Sequence, residues 1–155
     1  TMTEATDEPG YPLRVTRHIA APPERVWQVM TGQLEDYWCP RPWRTEIVEI
    51  DWRSGGRMAT IMRGPDGESH EGDGVLLEVT PGKRIVFTDA FRAGWIPQAA
   101  FMVGCLEIAP EGEGTRYTAT TWHWTKEACE QHRTMGFETG WATMADQLAE
   151  LAEAR

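Results

Sequence analysis

FETGWATMADQLAEL, residues Phe137 to Leu151, decides the reading of the fold. Phe137, Trp141, Met144, Leu148 and Leu151 recur at steps of four and three, which lays one apolar stripe along a single helix face. Such a stripe must be covered by another element. Extended towards the N-terminus, the same face meets Arg133, Glu130 and Lys126, while Ala128, Cys129 and His132 gather on a different side. The pattern therefore predicts a break near Thr134 to Gly136, where glycine lowers helix propensity.

Upstream of Trp124 the period is two. Leu13 to Ile19 alternates Leu13, Val15, Arg17 and Ile19 against Arg14, Thr16 and His18, a first strand with His18 towards water. Pro22-Pro23-Glu24 opens a helix, with proline tolerated in the first turn and the acid at the positive end of the dipole, and Gly32 closes it. Val26, Val29 and Met30 mark its buried side. Gln33 to Trp43 holds too many prolines for a full helix and reads as a helical turn and a loop. Strand-like runs at Ile47 to Trp52, Met58 to Met62, Val75 to Val79, Ile85 to Phe91, Met102 to Ile108 and Thr115 to Trp124 are separated by Gly and Pro turns. The order predicts an α+β fold: a curved antiparallel sheet of about seven strands wrapped around a long C-terminal helix, with short helices after the first strand. Residues 1–12 show no periodicity and are expected to form a flexible tail before a single domain over 13–155.

The chain has 155 residues, a formal charge of -9 and a pI near 4.9. That balance opposes nucleic acid and anionic membranes, which require clustered Lys and Arg. No apolar run approaches the ~18 residues of a membrane span, and nothing resembles a signal peptide, so a cytoplasmic location is expected. Cys39, Cys105 and Cys129 are odd in number and lack a CxxC pair, which suits reduced thiols. His123, Cys129 and His132 form H-x5-C-x2-H, three zinc-type ligands without a fourth, so neither metal nor other cofactor is expected. Glycine pairs at Gly55-Gly56, Gly72-x-Gly74 and Gly112-x-Gly114 lack a strand-to-helix context for phosphate and read as turns and bulges. Gly136-x-x-x-Gly140 reads as a close approach of helix to sheet.

The pieces AAPPERVW (Ala20 to Trp27), DYWCP (Asp36 to Pro40), DWRSGGRM (Asp51 to Met58), RGPDGE (Arg63 to Glu68), EVTPGKRIVFTDAF (Glu78 to Phe91), GTRYTAT (Gly114 to Thr120) and MGFETGW (Met135 to Trp141) carry a resemblance. In order and spacing they resemble the SRPBCC or START-related helix-grip superfamily, in the branch of homologues of the activator of heat-shock-protein-90 ATPase. The resemblance implies a cavity between the sheet's concave face and the long helix, of the kind used for apolar molecules. It does not by itself assign an activity, because function belongs to the site.

Eight Trp are available to line such a cavity. Trp38, Trp43, Trp52 and Trp95 fall in loops or at strand ends, where they would ring its mouth. Tyr117, Ala119, Thr121 and His123 share a strand face, expected to be the inner one. The candidate ligand-binding set is Trp38, Trp43, Trp52, Met62, His70, Phe87, Trp95, Tyr117, His123, His132 and Met135. No catalytic residue is assigned, although Asp89 and Glu107 stand as carboxylates in apolar runs. The expected function is binding of a small apolar or aromatic molecule, by a monomer or a homodimer. The alternatives are a polyketide-cyclase or aromatase-like enzyme using a pocket His and carboxylate, and a chaperone-assisting interaction protein. Hydrogen-bond-linked polar groups in the cavity favour the enzyme, isolated ones the carrier, and a large exposed apolar patch the interaction protein.

Overall fold

The computed structural model describes residues 8–154. Strand β1 (Leu13–Ile19) leads into α1 (Pro23–Gly32), whose Val26, Val29 and Met30 are fully buried, and a 3-10 turn (Leu34–Asp36) follows. β2 (Arg44–Ile50), β3 (Arg57–Arg63), β4 (Ser69–Thr80) and β5 (Arg84–Thr88) run antiparallel in sequence. A small two-stranded ribbon, β6 (Phe91–Arg92) with β7 (Ile96–Pro97), precedes β8 (Val103–Glu111) and β9 (Gly114–Trp122). α2 (Lys126–Thr134) and α3 (Phe137–Glu153) close the chain. The main sheet is seven-stranded in the order β1-β9-β8-β5-β4-β3-β2, so the meander wraps until β1 closes against β9. This is the expected helix-grip α+β architecture.

Helix boundaries follow local chemistry. Thr125 caps α2, its Oγ1 accepting the Ala128 N–H at 3.0 Å, and Gly136 breaks α2 from α3 with φ +98°. Phe137 and Leu148 on the α3 stripe are 1% and 0% exposed. Each such side chain contributes about 1.5–3 kcal/mol by leaving water. α3 rests on β1 and α1 at one end of the sheet. The inner face of β3, β4 and β5 is left partly uncovered beneath its N-terminal half, and there the cleft opens.

Three features depart from the sequence pattern. The β6–β7 ribbon was not anticipated, because two-residue strands carry no alternation. Gly72 and Gly74 are not turn residues; they lie inside the twelve-residue β4, opposite Thr60 and Met58. Of the expected tail, residues 1–7 lie outside the described residues, while Glu8 pairs with Arg14 at 2.9 Å and the Gly10 carbonyl accepts the His123 N–H at 2.7 Å. The segment before β1 is thus held to the end of β9.

Candidate functional site: a methionine and tryptophan cleft

Antiparallel register decides which side chains meet. Met58, Thr60 and Met62 of β3 stand opposite Gly74, Gly72 and His70 of β4, so all six share the concave face. At 74 the Thr88–Asp89 backbone takes the space that a side chain would fill, whereas at 72 no side chain rises from the sheet and a hollow remains. Its wall continues through Phe87, Thr88 and Asp89 to Phe101 and Met102, enclosing a volume of about 180 Å3. A second compartment of about 300 Å3 lies towards the helices, lined by Cys39, Pro40, His132, Met135, Phe137, Gly140, Trp141 and Met144. Trp38, Met62 and Met102 line both and stand between them. Both compartments open to solvent, so the site is a divided cleft rather than a sealed cavity.

Trp38 is placed by several independent contacts. Its ring meets Phe87 edge-on at 5.6 Å and Trp141 at 6.0 Å, linking sheet to α3. Its carbonyl accepts the Thr45 hydroxyl. On α3, the buried Gln147 donates Nε2 to the Tyr37 and Cys39 carbonyls at 3.0 and 2.9 Å and accepts the Arg41 N–H at 2.9 Å. This clamp holds the loop although Cys39 is at φ +92°, a conformation that costs a non-glycine residue. The opposite wall is fastened by Asp89, whose Oδ1 accepts the Phe101 and Met102 N–H groups at 2.8 and 3.3 Å. Asp89 is half-buried and serves this loop; Glu107 is half-buried on β8 and lines neither compartment.

His132 is 8% exposed and sits among Phe101, Phe137 and Trp141. Its Nδ1 lies 2.9 Å from His123 Nε2, and His123 Nδ1 lies 2.9 Å from the Tyr11 carbonyl. A carbonyl only accepts, so His123 Nδ1 donates to it and a neutral His123 offers Nε2 as acceptor to the His132 Nδ1–H. Burial pulls His132 down to about 4, with His123 adding in the same direction, and burial also lowers His123 against the opposing pull of the Tyr11 carbonyl. Both rings are neutral at pH 7. The three cysteines are buried and free, and burial pushes each thiol up, Cys105 to about 12, so none is an activated nucleophile.

The remaining candidates are dispersed. Trp38, Met62, Phe87, His132 and Met135 line the cleft. Trp43 stacks on His70 at 5.5 Å, beyond Met62 on the same sheet face. Trp52 packs half-buried against the core, and Trp95, 53% exposed, lies over Gly55 beside Phe91. Tyr117 is 1% exposed in the core, on the inner face with Ala119 and Thr121, and lines neither compartment. His123 borders a separate surface groove with Tyr11, Trp122 and Trp124. Met58, Thr60, Phe101, Met102, Trp141 and Met144 escaped the candidate set. The alternation Met58, Thr60, Met62 was a usable signal for the first two. Gly140 has open space where a Cβ would project, so it lines the cleft and does not serve close packing.

No helix among the described residues is long and apolar enough to cross a membrane. A comparison with curated proteins gives no match. Among solved structures, a protein of Nitrosomonas europaea is 35% identical, with 93% of this chain and 95% of that one covered at a TM-score of 0.87. A protein of Mycobacterium smegmatis is 27% identical over 100% and 99% at 0.79, and an AHSA1 protein of Silicibacter pomeroyi is 20% identical over 90% and 95% at 0.68. The sequence model described as "Activator of Hsp90 ATPase homolog 1-like protein" matches residues 20–153. Its fold commonly binds ligands. The match takes in every element from α1 to α3, and the chain belongs to the family of Activator of Hsp90 ATPase homolog 1-like proteins.

Proposed function

We propose that the protein is a cytoplasmic carrier or sensor that binds a small apolar or aromatic molecule in the divided cleft. The observation that carries this reading is the wall shared by both compartments, Trp38, Met62 and Met102, with the open floor that Gly72 leaves in β4. Methionine and tryptophan present polarizable, adaptable apolar surface, and a space of roughly 150 Å3 suffices for one benzene ring. The compartments of about 180 and 300 Å3 therefore suit a compound of one to three rings. Each Å2 of apolar ligand surface removed from water contributes about 25 cal/mol, which after association costs supports affinities of roughly 10 to 100 µM.

The hydrogen-bonded pair His123 and His132 is the one observation that favours an enzyme. It argues for a proton-moving role only weakly. A ring titrating near 4 is a poor base at neutral pH, and the pair ends on a backbone carbonyl, with no carboxylate among the described residues hydrogen-bonded to either ring. Of the large exposed apolar side chains, Val48, Trp95, Ile96, Trp124 and Met135, only Trp95 and Ile96 adjoin, in the β6–β7 ribbon, which gives the interaction-protein reading less support.

Intrinsic tryptophan fluorescence, titrated with aromatic, sterol and fatty-acid compounds, tests the reading. A saturable change for aromatic compounds is expected, weakened at least tenfold in Trp38→Ala. No saturable change with any compound would remove it.

A further inference from the structure

The polar inventory of the cleft is lopsided. Among the described residues, no lysine or arginine lines either compartment. Asp73 alternates with Gly72 and Gly74, so its carboxylate lies on the opposite face of β4 against Arg57 at 2.9 Å, and Asp89 spends Oδ1 on the Phe101 and Met102 backbone. Thr60 and Thr88 bring hydroxyls, Thr88 donating to the Met102 carbonyl, and His132 has its proton placed by a chain of constraints that starts outside the cleft. The Tyr11 carbonyl accepts from His123 Nδ1, His123 Nε2 accepts from His132 Nδ1, and the proton of neutral His132 is thereby fixed on Nδ1. Its Nε2 is left as a bare lone pair. That nitrogen makes no hydrogen bond among the described residues and is not sealed from solvent.

Resting on the reading of the cleft as a ligand site, we infer that its ligand is a neutral aromatic compound carrying an O–H or N–H donor, and that this donor is accepted by His132 Nε2. A phenol or an N–H heteroaromatic fits on both counts: the ring covers Trp38, Met62 and Met102, and the donor meets the lone pair. Carboxylates such as fatty acids are disfavoured by the same geometry, because among the described residues the cleft holds no cation and it already contains the Asp89 carboxylate. An aromatic ether has the ring but no donor, and its binding leaves Nε2 covered and unpaired. An unpaired buried acceptor is worth on the order of tenfold in affinity.

Isothermal titration calorimetry with 2-naphthol, 2-methoxynaphthalene and 2-naphthoate at pH 7 separates these cases on the unaltered protein. Naphthol is expected to bind about tenfold tighter than the ether, and naphthoate weakest. Equal binding of naphthol and ether, or naphthoate binding tightest, overturns the donor assignment and leaves the cleft as a ligand site. If none of the three binds, the cleft reading itself fails and takes the assignment with it. His132→Phe keeps a ring among Phe101, Phe137 and Trp141 and should bring the naphthol-to-ether affinity ratio close to one. Nitrogen-15 imidazole spectra need no variant: both His123 and His132 should carry their proton on Nδ1, and an Nε2–H on His132 overturns the inference.

Discussion

Filling the floor of the cleft should make the protein more stable and less able to bind. Gly72 lies in the middle of β4, outside the left-handed region, and a Cβ there would meet only Thr60 Oγ1 at 3.7 Å. Glycine in a strand costs roughly 0.5–1 kcal/mol against alanine through the freedom it loses on folding. Gly72→Ala should therefore stabilise by about that amount, a rise of about 1 to 4 °C for a chain of this size. Gly72→Leu adds an isobutyl group to a compartment of about 180 Å3, little more than the roughly 150 Å3 that one benzene ring needs. Affinity for 2-methoxynaphthalene should fall at least tenfold, about 1.4 kcal/mol or more. Gly74→Ala is the contrasting change, since its Cβ would lie 2.3 Å from the Thr88 carbonyl oxygen, and it should lose about 1–3 kcal/mol. Thermal denaturation and calorimetric titration of the three variants read both quantities. A Gly72→Leu protein that folds and binds as well as the original refutes the reasoning.

Gln147→Leu removes three hydrogen bonds and strands the Tyr37 and Cys39 carbonyls, so chemical denaturation should show a loss of about 2–4 kcal/mol with weakened ligand binding. Leu148→Ala, at 0% exposure, should cost about 2–5 kcal/mol, whereas a loss below ~0.5 kcal/mol would detach α3 from the sheet. The imidazole pair makes stability depend on pH. His132 titrates near 6.5 when unfolded and about 4 when folded, so the unfolded chain binds the extra proton first. The contribution is fully present above pH 6.5 and is lost as pH falls towards 4, on the order of 3 kcal/mol from this ring. Urea denaturation across that window should show the slope in the original protein and lose much of it in His132→Phe.

What could be read from the residues is what local chemistry decides. The Phe137 to Leu151 stripe, the Pro22-Pro23-Glu24 helix start and the alternation of Leu13 to Ile19 each report a period or a cap within one element, and all stand in the structure. The cleft depends on register between elements, which no single run contains. Gly72 and Gly74 looked like turn residues until their partners Thr60 and Met58 were known. Tryptophans in loops suggested a common mouth, yet only Trp38 is drawn into the cleft, by a Gln147 more than a hundred positions away in the chain. His123 and His132 suggested a ligand spacing; the turn before α2 instead brings them into direct hydrogen bond, with His132 alone on the cleft. The sign of each residue type was legible, and its placement was not.

The central claim is that the space between Trp38, Met62 and Met102 holds a ligand, and the methionines report on it directly. Among the described residues, Met58, Met62, Met102, Met135 and Met144 line the two compartments, while Met30 is fully buried in the core outside them. Protein labelled with carbon-13 at the methionine methyls, titrated with 2-naphthol and observed by NMR, should show saturable shifts at Met58, Met62 and Met102 with Met30 unmoved. Unchanged signals at those three positions at saturating naphthol would contradict the claim.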